Sequence, residues 1–427
     1  MDEFLRETTQ ASEPFTVMAK PVGPVCNLEC SYCYYLDTVS LYDRPHRFRM
    51  PDTLLEAYVR QYIETSPGPV VSFVWHGGEP TLAGLDFYRR AVELQQQYLP
   101  DGWTCWNNLQ TNGTLLDEEW CSFLADAHFD VGLSIDGTRW LHDAYRKDRR
   151  GRGSYDRAVG AVHRLQAHGI QPDLLCTVTS AIAEEPLSAY RALRNLDTGW
   201  LQFIPIVRRG PEGQVTPDSV TAEAYGSFLC TVFDEWVHHD IGRLDVQFFA
   251  EMSLVWSGGS ASDCWMAPTC GRALVVEHDG GVYACDHFVT AEHRIGDFDT
   301  SHLKTLVDAP IQRRFGDDKR DLLPAQCRSC PWLMVCNGGC PKDRFAVSED
   351  GESGLYYLCN GLRRFFAHVE QPLKRVIEQK RRRMSPESIM AERRGETLVR
   401  WRGIGRNDPC LCGSGRKAKR CCWSQRP

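Results

Sequence analysis

The sequence lacks any apolar run long enough to span a bilayer. Its first residues, MDEFLRETTQASEPFTV, also lack the apolar core of a signal peptide. These absences predict a cytoplasmic protein that has no membrane partner. A hydrophobic content of 42% and a charged content of 25% are ordinary for a soluble globular chain. The length of 427 residues is enough for two or three domains with a sizeable core.

Cysteine is the unusual residue, because the chain contains nineteen of them. In a reducing compartment, so many thiols indicate metal ligation rather than disulfides. Fifteen lie in the segment 26–33 or at and after position 264. The other four lie alone in apolar patterns and are predicted to be small buried hydrophobic residues: Cys105, Cys121, Cys176 and Cys230.

Strand-like runs alternate with amphipathic helix-like segments from residue 15 to about 240. The strands are predicted at 15–20, 70–75, 104–111, 130–135, 173–179 and 201–207. Six successive strand–helix units predict an α/β fold in which a parallel sheet closes into a partial (β/α)6 barrel. Several motifs follow the carboxyl ends of these strands, where such a barrel places its active site.

The first of these motifs contains three cysteines in the spacing C-x3-C-x2-C: Cys26, Cys30 and Cys33. A structural zinc site or an ordinary cubane cluster takes four protein ligands. Either a distant fourth cysteine completes the site, or one metal position stays open.

This triad, with Tyr32 before its last cysteine, resembles the signature of the radical SAM family. The resemblance implies a [4Fe–4S] cluster whose open iron is chelated by S-adenosylmethionine (SAM), which is cleaved to a 5′-deoxyadenosyl radical. The motif HGGEP at 76–80 fits this interpretation. In the family, Gly77, Gly78 and Glu79 form the segment that holds the amino group of SAM.

A second group of eight cysteines lies between positions 264 and 359. Eight thiolates suit two cubane clusters, although the C-x2-C-x5-C-x3-C spacing at 327–340 also suits zinc. The group resembles the SPASM extension, which carries two auxiliary [4Fe–4S] clusters in radical SAM enzymes that modify peptides.

Four further segments narrow the resemblance to the anaerobic sulfatase-maturating enzymes: LQTNGTLLDEEW, LSIDG, CGRALVVEHDGGVYACDHFV and NGGCPKDR. These enzymes oxidise a cysteine or serine of a sulfatase to Cα-formylglycine without oxygen. The resemblance implies one auxiliary cluster on Cys264, Cys270, Cys285 and Cys340. It implies a second on Cys327, Cys330, Cys336 and Cys359.

The same resemblance implies that Asp286 is the catalytic base, and we expect burial near an anionic cluster to raise its pKa. It also implies a set of SAM contacts: Tyr32, Gly78, Ser134, Arg146 and Val207. His76 departs from the family, in which glutamine precedes Gly-Gly-Glu. A satisfied loop histidine is the simplest interpretation of this residue.

The tail GRNDPCLCGSGRKAKRCCW resembles the SEC-C motif of the translocation ATPase SecA. Its spacing, C-x-C-x8-C-C, suits one tetrahedral zinc on Cys410, Cys412, Cys421 and Cys422. Residues 380–427 carry a net charge of +10, which leaves −17 for residues 1–379. The basic tail predicts either docking to an acidic partner or a self-contained solvated knuckle.

We therefore predict four regions: a radical SAM barrel at 1–250, a loop-rich SPASM domain at 251–370, a basic helical linker at 371–404 and a SEC-C motif at 405–427. The predicted partners are an unfolded or nascent sulfatase polypeptide and an electron donor such as flavodoxin or ferredoxin. Two alternatives stay open at this point. One is a radical SAM enzyme acting on another peptide, such as a natural-product precursor. The other is an iron–sulfur electron carrier or a SecA-like binding module.

Overall fold

A ten-stranded sheet forms the centre of the protein, seen in a computed structural model that describes residues 10–42, 47–210, 212–410, 416–420 and 423. Its first six strands lie parallel and in chain order. They are β1 Thr16–Lys20, β2 Val70–Trp75, β3 Thr104–Thr111, β4 Phe129–Ser134, β5 Asp173–Val178 and β6 Trp200–Pro205. The predicted α/β fold with a partial barrel is confirmed.

Helices connect these strands on the outer side of the sheet. They are α1 Asp52–Thr65, α2 Leu85–Tyr98, α3 Glu118–Asp126, α4 Arg139–Tyr145, α5 Tyr155–Ala167, α6 Ser180–Glu184, α7 Pro186–Arg194, α8 Ala222–His239 and α9 Gln247–Trp256. Short 3-10 turns lie at Leu36–Leu41 and Pro80–Ala83. Among the described residues, no helix has both the length and the apolar character needed to cross a bilayer.

The period-two pattern of β2 shows how the sequence sets this layering. Phe73 and Trp75 are buried on one side of the strand. Their rings pack edge-on against Tyr58 of α1, with centroids 5.7 and 5.8 Å apart. The intervening Val74 is less buried because it faces the opposite side of the sheet. The helices therefore cover one face, and the other face lines the barrel interior.

The cysteine-rich region extends the barrel sheet, which the sequence pattern did not reveal. Strand β7 Asp245–Val246 ends the barrel part of the sheet beside β6, and in the cysteine-rich region β8 Ala273–Glu277 pairs in parallel with β1. Strands β9 Gly281–Tyr283 and β10 Arg294–Asp297 continue the sheet in antiparallel pairing. A separate pair is formed by β11 Ala346–Val347 and β12 Ser353–Leu355. The region predicted to be loop-rich is thus attached to the barrel at β1.

The described chain after β9 consists otherwise of short elements and two longer helices. They are α10 Leu303–Val307, α11 Pro310–Asp321, α12 Ala325–Arg328, α13 Leu333–Cys336, α14 Cys359–Arg381 and α15 Pro386–Trp401, with 3-10 turns at Asp286–Phe288, Ala291–His293, Pro341–Asp343 and Ala418–Arg420. Helix α14 packs against α8 of the barrel and buries Leu373, Val376 and Ile377. A single helix therefore spans the predicted boundary at residue 370. The bounds of the four predicted regions stay a prediction.

The isolated cysteines lie where the sequence predicted small hydrophobic residues. Cys121, Cys176 and Cys230 are buried in the core, and Cys105 is half-buried against it. Burial raises the pKa of Cys105 to about 12 and that of Cys121 to about 11. These thiols are protonated at neutral pH and pack as apolar groups.

Candidate active site and cluster-binding cysteines

The cysteine triad follows β1 and lines one cavity of about 590 Å³: Cys26, Cys30 and Cys33. Arg149 and Arg208 also line this cavity, and Arg149 Nη2 donates to the Cys26 carbonyl at 3.2 Å. Burial raises the pKa of Cys26 to about 12 and that of Cys30 to about 11. Such thiols lose their protons on binding a metal, so the donor set suits an iron–sulfur cluster.

The two glycines after β2 bind the segment that leads to the triad. The Gly78 amide donates to the Gly23 carbonyl at 2.8 Å, and the Glu79 amide donates to the Val25 carbonyl at 2.9 Å. A Cβ atom at Gly78 would lie 2.1 Å from the Val25 oxygen. Gly77 has a φ of +129°, which a residue with a side chain rarely adopts. Glycine is therefore required here by backbone contact.

The carboxylate of Glu79 ties the end of β2 to the end of β3. It accepts hydrogen bonds from the amide and hydroxyl of Thr81, from the Thr111 hydroxyl and from the Asn112 amide, at 2.6–3.1 Å. Burial raises its pKa, and these four donors act in the opposite direction. Glu79 therefore joins the two strand ends through contacts within the chain.

Two of the predicted SAM contacts meet at a buried carboxylate after β4. Arg146 Nε donates to Asp136 at 2.7 Å, and the Tyr32 hydroxyl donates to the same carboxylate oxygen. The Thr177 amide donates to the other oxygen at 2.8 Å. The Arg146 guanidinium also lies 5.4 Å from the centroid of the Tyr32 ring. Asp136 thus orients both residues beside the triad.

The other two predicted contacts lie at the ends of β4 and β6. Ser134 is the last residue of β4, and its hydroxyl accepts from Gln110 Nε2 at 3.1 Å. Val207 is buried just after β6, and its carbonyl accepts from Lys342 Nζ at 3.4 Å. The structure therefore brings the predicted SAM contacts to one end of the sheet.

Asp286 lies at the same end of the sheet, next to the predicted cluster ligand Cys285. Its carboxylate forms an ion pair with Lys20, the last residue of β1, and accepts from the Tyr34 hydroxyl. Lys20 Nζ also contacts His76 Nδ1 at 2.8 Å. Since the Lys20 side chain is fully buried, these contacts fix its ammonium group between the histidine and the aspartate.

The expected rise in the pKa of Asp286 is wrong. Burial is the largest single effect and acts to raise this pKa, but Lys20, His76 and His287 together hold it below its ordinary value. Asp286 is therefore an ionised carboxylate. Burial, with the nearby Lys20 charge, lowers the pKa of His76 to about 3. His76 is neutral, so its Nδ1 accepts the hydrogen bond from Lys20, as in a satisfied loop histidine.

Three residues of this site were missed by the sequence analysis: Lys20, Tyr34 and Asp136. Asp136 lies in the DG dipeptide after the fourth predicted strand, so its position was a usable signal. Lys20 is the last residue of the first predicted strand and precedes the triad by six positions. Only the pairing of β1 with β8 brings Lys20 close to Asp286, and local sequence carries no sign of that pairing.

The eight later cysteines fall into the two predicted sets. One cavity is lined by all four cysteines of the second set: Cys327, Cys330, Cys336 and Cys359. In the first set, Cys264 interacts electrostatically with Cys340 and Cys270, and Cys285 with Cys340 and Cys264. This grouping interleaves the chain as the family resemblance implied. Each set supplies four thiols, which suits one cubane.

Within the described part of the chain, no three Cys, His, Asp or Glu side chains converge closely enough to hold a single metal ion. A cubane does not need such convergence, because each cysteine binds a different iron. In the tail, Cys410 is buried against Trp401 and Ala418. The other three predicted zinc ligands lie outside the described residues: Cys412, Cys421 and Cys422.

Comparisons with known proteins agree with these motifs. Residues 21–189 match the radical SAM superfamily, 264–331 match an iron–sulfur cluster-binding domain (SPASM), and 406–424 match the SEC-C motif. The first two matches imply SAM and a [4Fe–4S] cluster in the barrel and further clusters in the SPASM region.

Whole-chain relatives are more specific. The chain is 40% identical, over 403 residues, to a serine-type anaerobic sulfatase-maturating enzyme of Bacteroides thetaiotaomicron, covering 90% of this chain and 97% of that protein. It is 32% identical, over 359 residues, to a cysteine-type enzyme of Clostridium perfringens, covering 83% and 96%. A solved structure of anSMEcpe with bound AdoMet and a Cp18Cys peptide aligns with a TM-score of 0.78 at 31% identity, covering 86% and 99%. The chain therefore belongs to the anaerobic sulfatase-maturating enzymes.

Proposed function

We propose that this chain oxidises a serine or cysteine of a sulfatase polypeptide to Cα-formylglycine, with Asp286 as the base. The observation that carries this proposal is the ion pair between Lys20 and Asp286. This ion pair joins Lys20, at the end of the strand before the triad, to Asp286, which follows the predicted cluster ligand Cys285. A base in this position lies between the radical-generating site and the first auxiliary set.

The proposed cofactor ligands follow from the same geometry. The triad would hold the SAM-binding cluster, with Tyr32, the Gly77–Glu79 segment, Ser134, Arg146 and Val207 around SAM. The two later sets would each hold one auxiliary [4Fe–4S] cluster, and the tail cysteines one zinc. When bound, reduced cluster and SAM supply a radical that removes a hydrogen atom from Cβ of the target residue.

The chain's own contribution to the reaction is the removal of a proton. Oxidation of an alcohol or thiol to the aldehyde or thioaldehyde level requires loss of the Cβ hydrogen atom, of the hydroxyl or thiol proton and of one further electron, which an auxiliary cluster would accept. The thioaldehyde formed from cysteine would then be hydrolysed to the aldehyde with release of sulfide. Asp286 is the proposed acceptor of this proton because its carboxylate is ionised, although the Lys20 charge that lowers its pKa also makes it a weaker base. Lys20 and Tyr34 orient its carboxylate. His76 fixes Lys20 by accepting one of its three ammonium hydrogens.

The higher identity to serine-type relatives, 40% and 38% against 32% for a cysteine-type relative, supports serine as the preferred target. A reductant is required, and the proposed donor is a flavodoxin or ferredoxin. We place the reaction in the cytoplasm because thiolate ligands need a reducing compartment. The basic tail is proposed to dock to an acidic partner.

The test is mass spectrometry of two sulfatase-derived peptides that differ only in serine or cysteine at the target position. Each is incubated anaerobically with reconstituted enzyme, SAM and reductant. We expect formylglycine in both, with faster turnover of the serine peptide. Cleavage of SAM without modification of either peptide would contradict the sulfatase assignment and favour another peptide substrate. Absence of SAM cleavage would contradict the enzymatic assignment itself.

A further inference from the structure

The two auxiliary cysteine sets are joined by a three-residue turn between Cys336 of the second set and Cys340 of the first. All three residues of this turn are left-handed: Asn337, Gly338 and Gly339 have φ values of +46°, +72° and +65°. Glycine adopts this region freely and asparagine tolerates it, so the sequence suits the turn. Contacts from elsewhere fix the direction of its carbonyls.

Arg344 makes these contacts. Its Nε donates to the Gly338 carbonyl at 2.8 Å, and its Nη2 donates to the carbonyls of Asn337 and Gly339 at 2.7 and 3.2 Å. Its Nη1 donates to the Lys319 carbonyl. A Cβ atom at Gly338 would lie 2.7 Å from Nη2, so the turn is closed tightly around the guanidinium. The Arg344 side chain therefore donates a hydrogen bond to the carbonyl of every residue of the turn.

The same guanidinium binds the turn between Cys336 of the second set and Cys340 of the first. It is near enough for its charge to act on two cysteines of each set: Cys327 and Cys336 of the second, and Cys340 and Cys270 of the first. Its hydrogen-bond partners in the described structure are all neutral backbone carbonyls, so no carboxylate neutralises it there. An arginine stays charged at every physiological pH. Its positive charge therefore acts on both sets.

A second buried cation serves only the first set. Lys319 is 1% exposed, and its Nζ donates to the carbonyls of Cys264 and Trp265 at 2.7 and 2.9 Å and to that of Ala267. Its thiol neighbours are Cys270, Cys264 and Cys340, all from the first set. Lys319 thus offers an internal comparison with Arg344, because the two cations differ in which sets they approach.

We propose that Arg344 is the shared counter-charge of the two auxiliary clusters, raising the reduction potential of both while it holds the turn that joins them. This inference rests on the proposed placement of a [4Fe–4S] cluster on each set. A cubane with four thiolates is anionic and gains a further negative charge on reduction. A fixed cation in a low-dielectric surrounding stabilises the reduced form more than the oxidised form.

The experiment uses the full-length chain with Cys26, Cys30 and Cys33 replaced by Ala, which leaves the auxiliary clusters as the only iron centres. After anaerobic reconstitution, an EPR-monitored redox titration gives both midpoint potentials. For Arg344→Gln, we expect the equilibrium constant for one-electron reduction of each cluster to fall at least about tenfold, which is about 59 mV. Lys319→Gln should lower the potential of the first cluster alone.

Two variants separate charge from geometry. Arg344→Lys keeps the charge and loses the planar guanidinium that binds several carbonyls at once. The two cluster potentials should therefore stay near those of the parent while the melting temperature falls. Arg363→Gln removes an exposed arginine that pairs with Glu349 beside the second set, and it should shift the potentials less than Arg344→Gln. If Arg344→Lys assembles both clusters and Arg344→Gln does not, the charge is required and the inference is supported.

The inference is overturned if Arg344→Gln retains its iron with unshifted potentials, or if the Gln and Lys variants shift equally. Failure of both variants to assemble clusters would show that the guanidinium is a clamp without an electrostatic role, which also overturns it. A parent that binds far fewer than about eight iron atoms per chain would contradict the cluster placement instead. The two failures are therefore distinguishable.

Discussion

At the scale of single residues, Asp286 is the group whose loss should separate SAM cleavage from product formation. Asp286→Asn keeps the size of the side chain and leaves every predicted cluster ligand in place. Because the amide cannot accept the substrate proton, formylglycine formation should fall by about 100-fold or more, while SAM cleavage persists. The measurement is 5′-deoxyadenosine and formylglycine quantified in the same reaction.

The matched control is Asp279→Asn in the exposed turn between β8 and β9, where the side chain accepts from the Gly281 amide. This variant should retain both products. If SAM cleavage and formylglycine fall together in Asp286→Asn, the aspartate supports the structure or SAM binding. If neither falls, the base is another residue.

His142 predicts a measurable dependence of stability on pH. It is 1% exposed, its Nδ1 accepts from the Asp136 amide at 3.2 Å, and its Nε2 lies 2.9 Å from the Ser154 hydroxyl. Burial lowers its pKa to about 4, with Arg146 acting in the same direction and Asp136 and Asp143 opposing. As the pH falls, His142 is therefore protonated in the unfolded chain before it is protonated in the folded chain. The resulting stability is present above pH 6.5 and is lost as the pH falls.

When the pH is lowered from 7.5 to 5.5, this histidine becomes protonated in the unfolded chain but not in the folded chain. The free energy of unfolding should therefore fall by about 1.4 kcal/mol, because the interval is centred on the ordinary pKa of histidine. His142→Asn offers an oxygen near the position of Nδ1 and cannot titrate. Urea denaturation at both pH values should therefore show a smaller loss in this variant than in the wild type. His163→Asn, at an exposed site, is the control and should leave the loss unchanged. An equal loss in wild type and His142→Asn would contradict the prediction.

At the scale of secondary-structure elements, the barrel strands were predictable from local pattern. The predicted bounds of 70–75 and 104–111 coincide with β2 and β3, and the others differ by one or two residues. Alternating burial, as in β2, gives a strand a strong periodic signal. Strand β7 has only two residues, which are too few for that signal, and β8 is buried along almost its whole length, so it lacks the alternation.

Contacts between distant segments could not be predicted in the same way. The pairing of β1 with β8 joins residues more than 250 positions apart, and the ion pair of Lys20 with Asp286 depends on it. The cysteine spacing predicts which thiols bind metal, and that ligand assignment stays a prediction, whereas the grouping into two sets required the family resemblance. Local pattern therefore predicted the elements and the ligand types, and tertiary packing decided which charges meet.

The crossing of α8 and α14 links the barrel to the second cysteine set. A Cβ atom at Gly361 would lie 1.8 Å from the Ala222 carbonyl oxygen, so the helices touch through their backbones. Gly361→Ala should lower the unfolding free energy by about 3 kcal/mol, because neither backbone can retreat without repacking the core. Since Cys359 starts the same helix, iron bound by the second set should fall as well.

Gly395→Ala in α15 is the control, because no atom lies within 4 Å of the added methyl group. Alanine has the higher helix propensity, so this variant should be neutral or more stable by about 1 kcal/mol. Chemical denaturation and iron analysis of both variants provide the test. A Gly361→Ala variant as stable as the wild type would show that the helices can separate at no cost.

At the scale of the whole molecule, metal content tests the cluster assignment. Three cubanes predict about twelve iron atoms per reconstituted chain, with one zinc in the tail. Replacement of Cys26, Cys30 and Cys33 by Ala should remove about four iron atoms and abolish SAM cleavage. Iron near four per wild-type chain, with zinc in the SPASM region, would contradict the auxiliary clusters.

The basic tail is an addition to a molecule whose catalytic elements all lie upstream. Trp401 at the end of α15 packs against Trp423 with ring centroids 5.9 Å apart, so the described part of the tail contacts the last helix. Deletion of residues 405–427 should therefore remove the zinc while the turnover of a short peptide stays within about twofold of the wild type.

A second variant tests the charge of the tail. Lys417, Lys419 and Arg420 are exposed, and their replacement by Glu leaves every cysteine in place. That variant should keep both zinc and peptide turnover and should lose only binding to an acidic partner, because the docking force is electrostatic and screened by salt. The measurements are zinc analysis and formylglycine formation on the same peptide. A collapse of peptide turnover on deletion would show that the tail belongs to the active site.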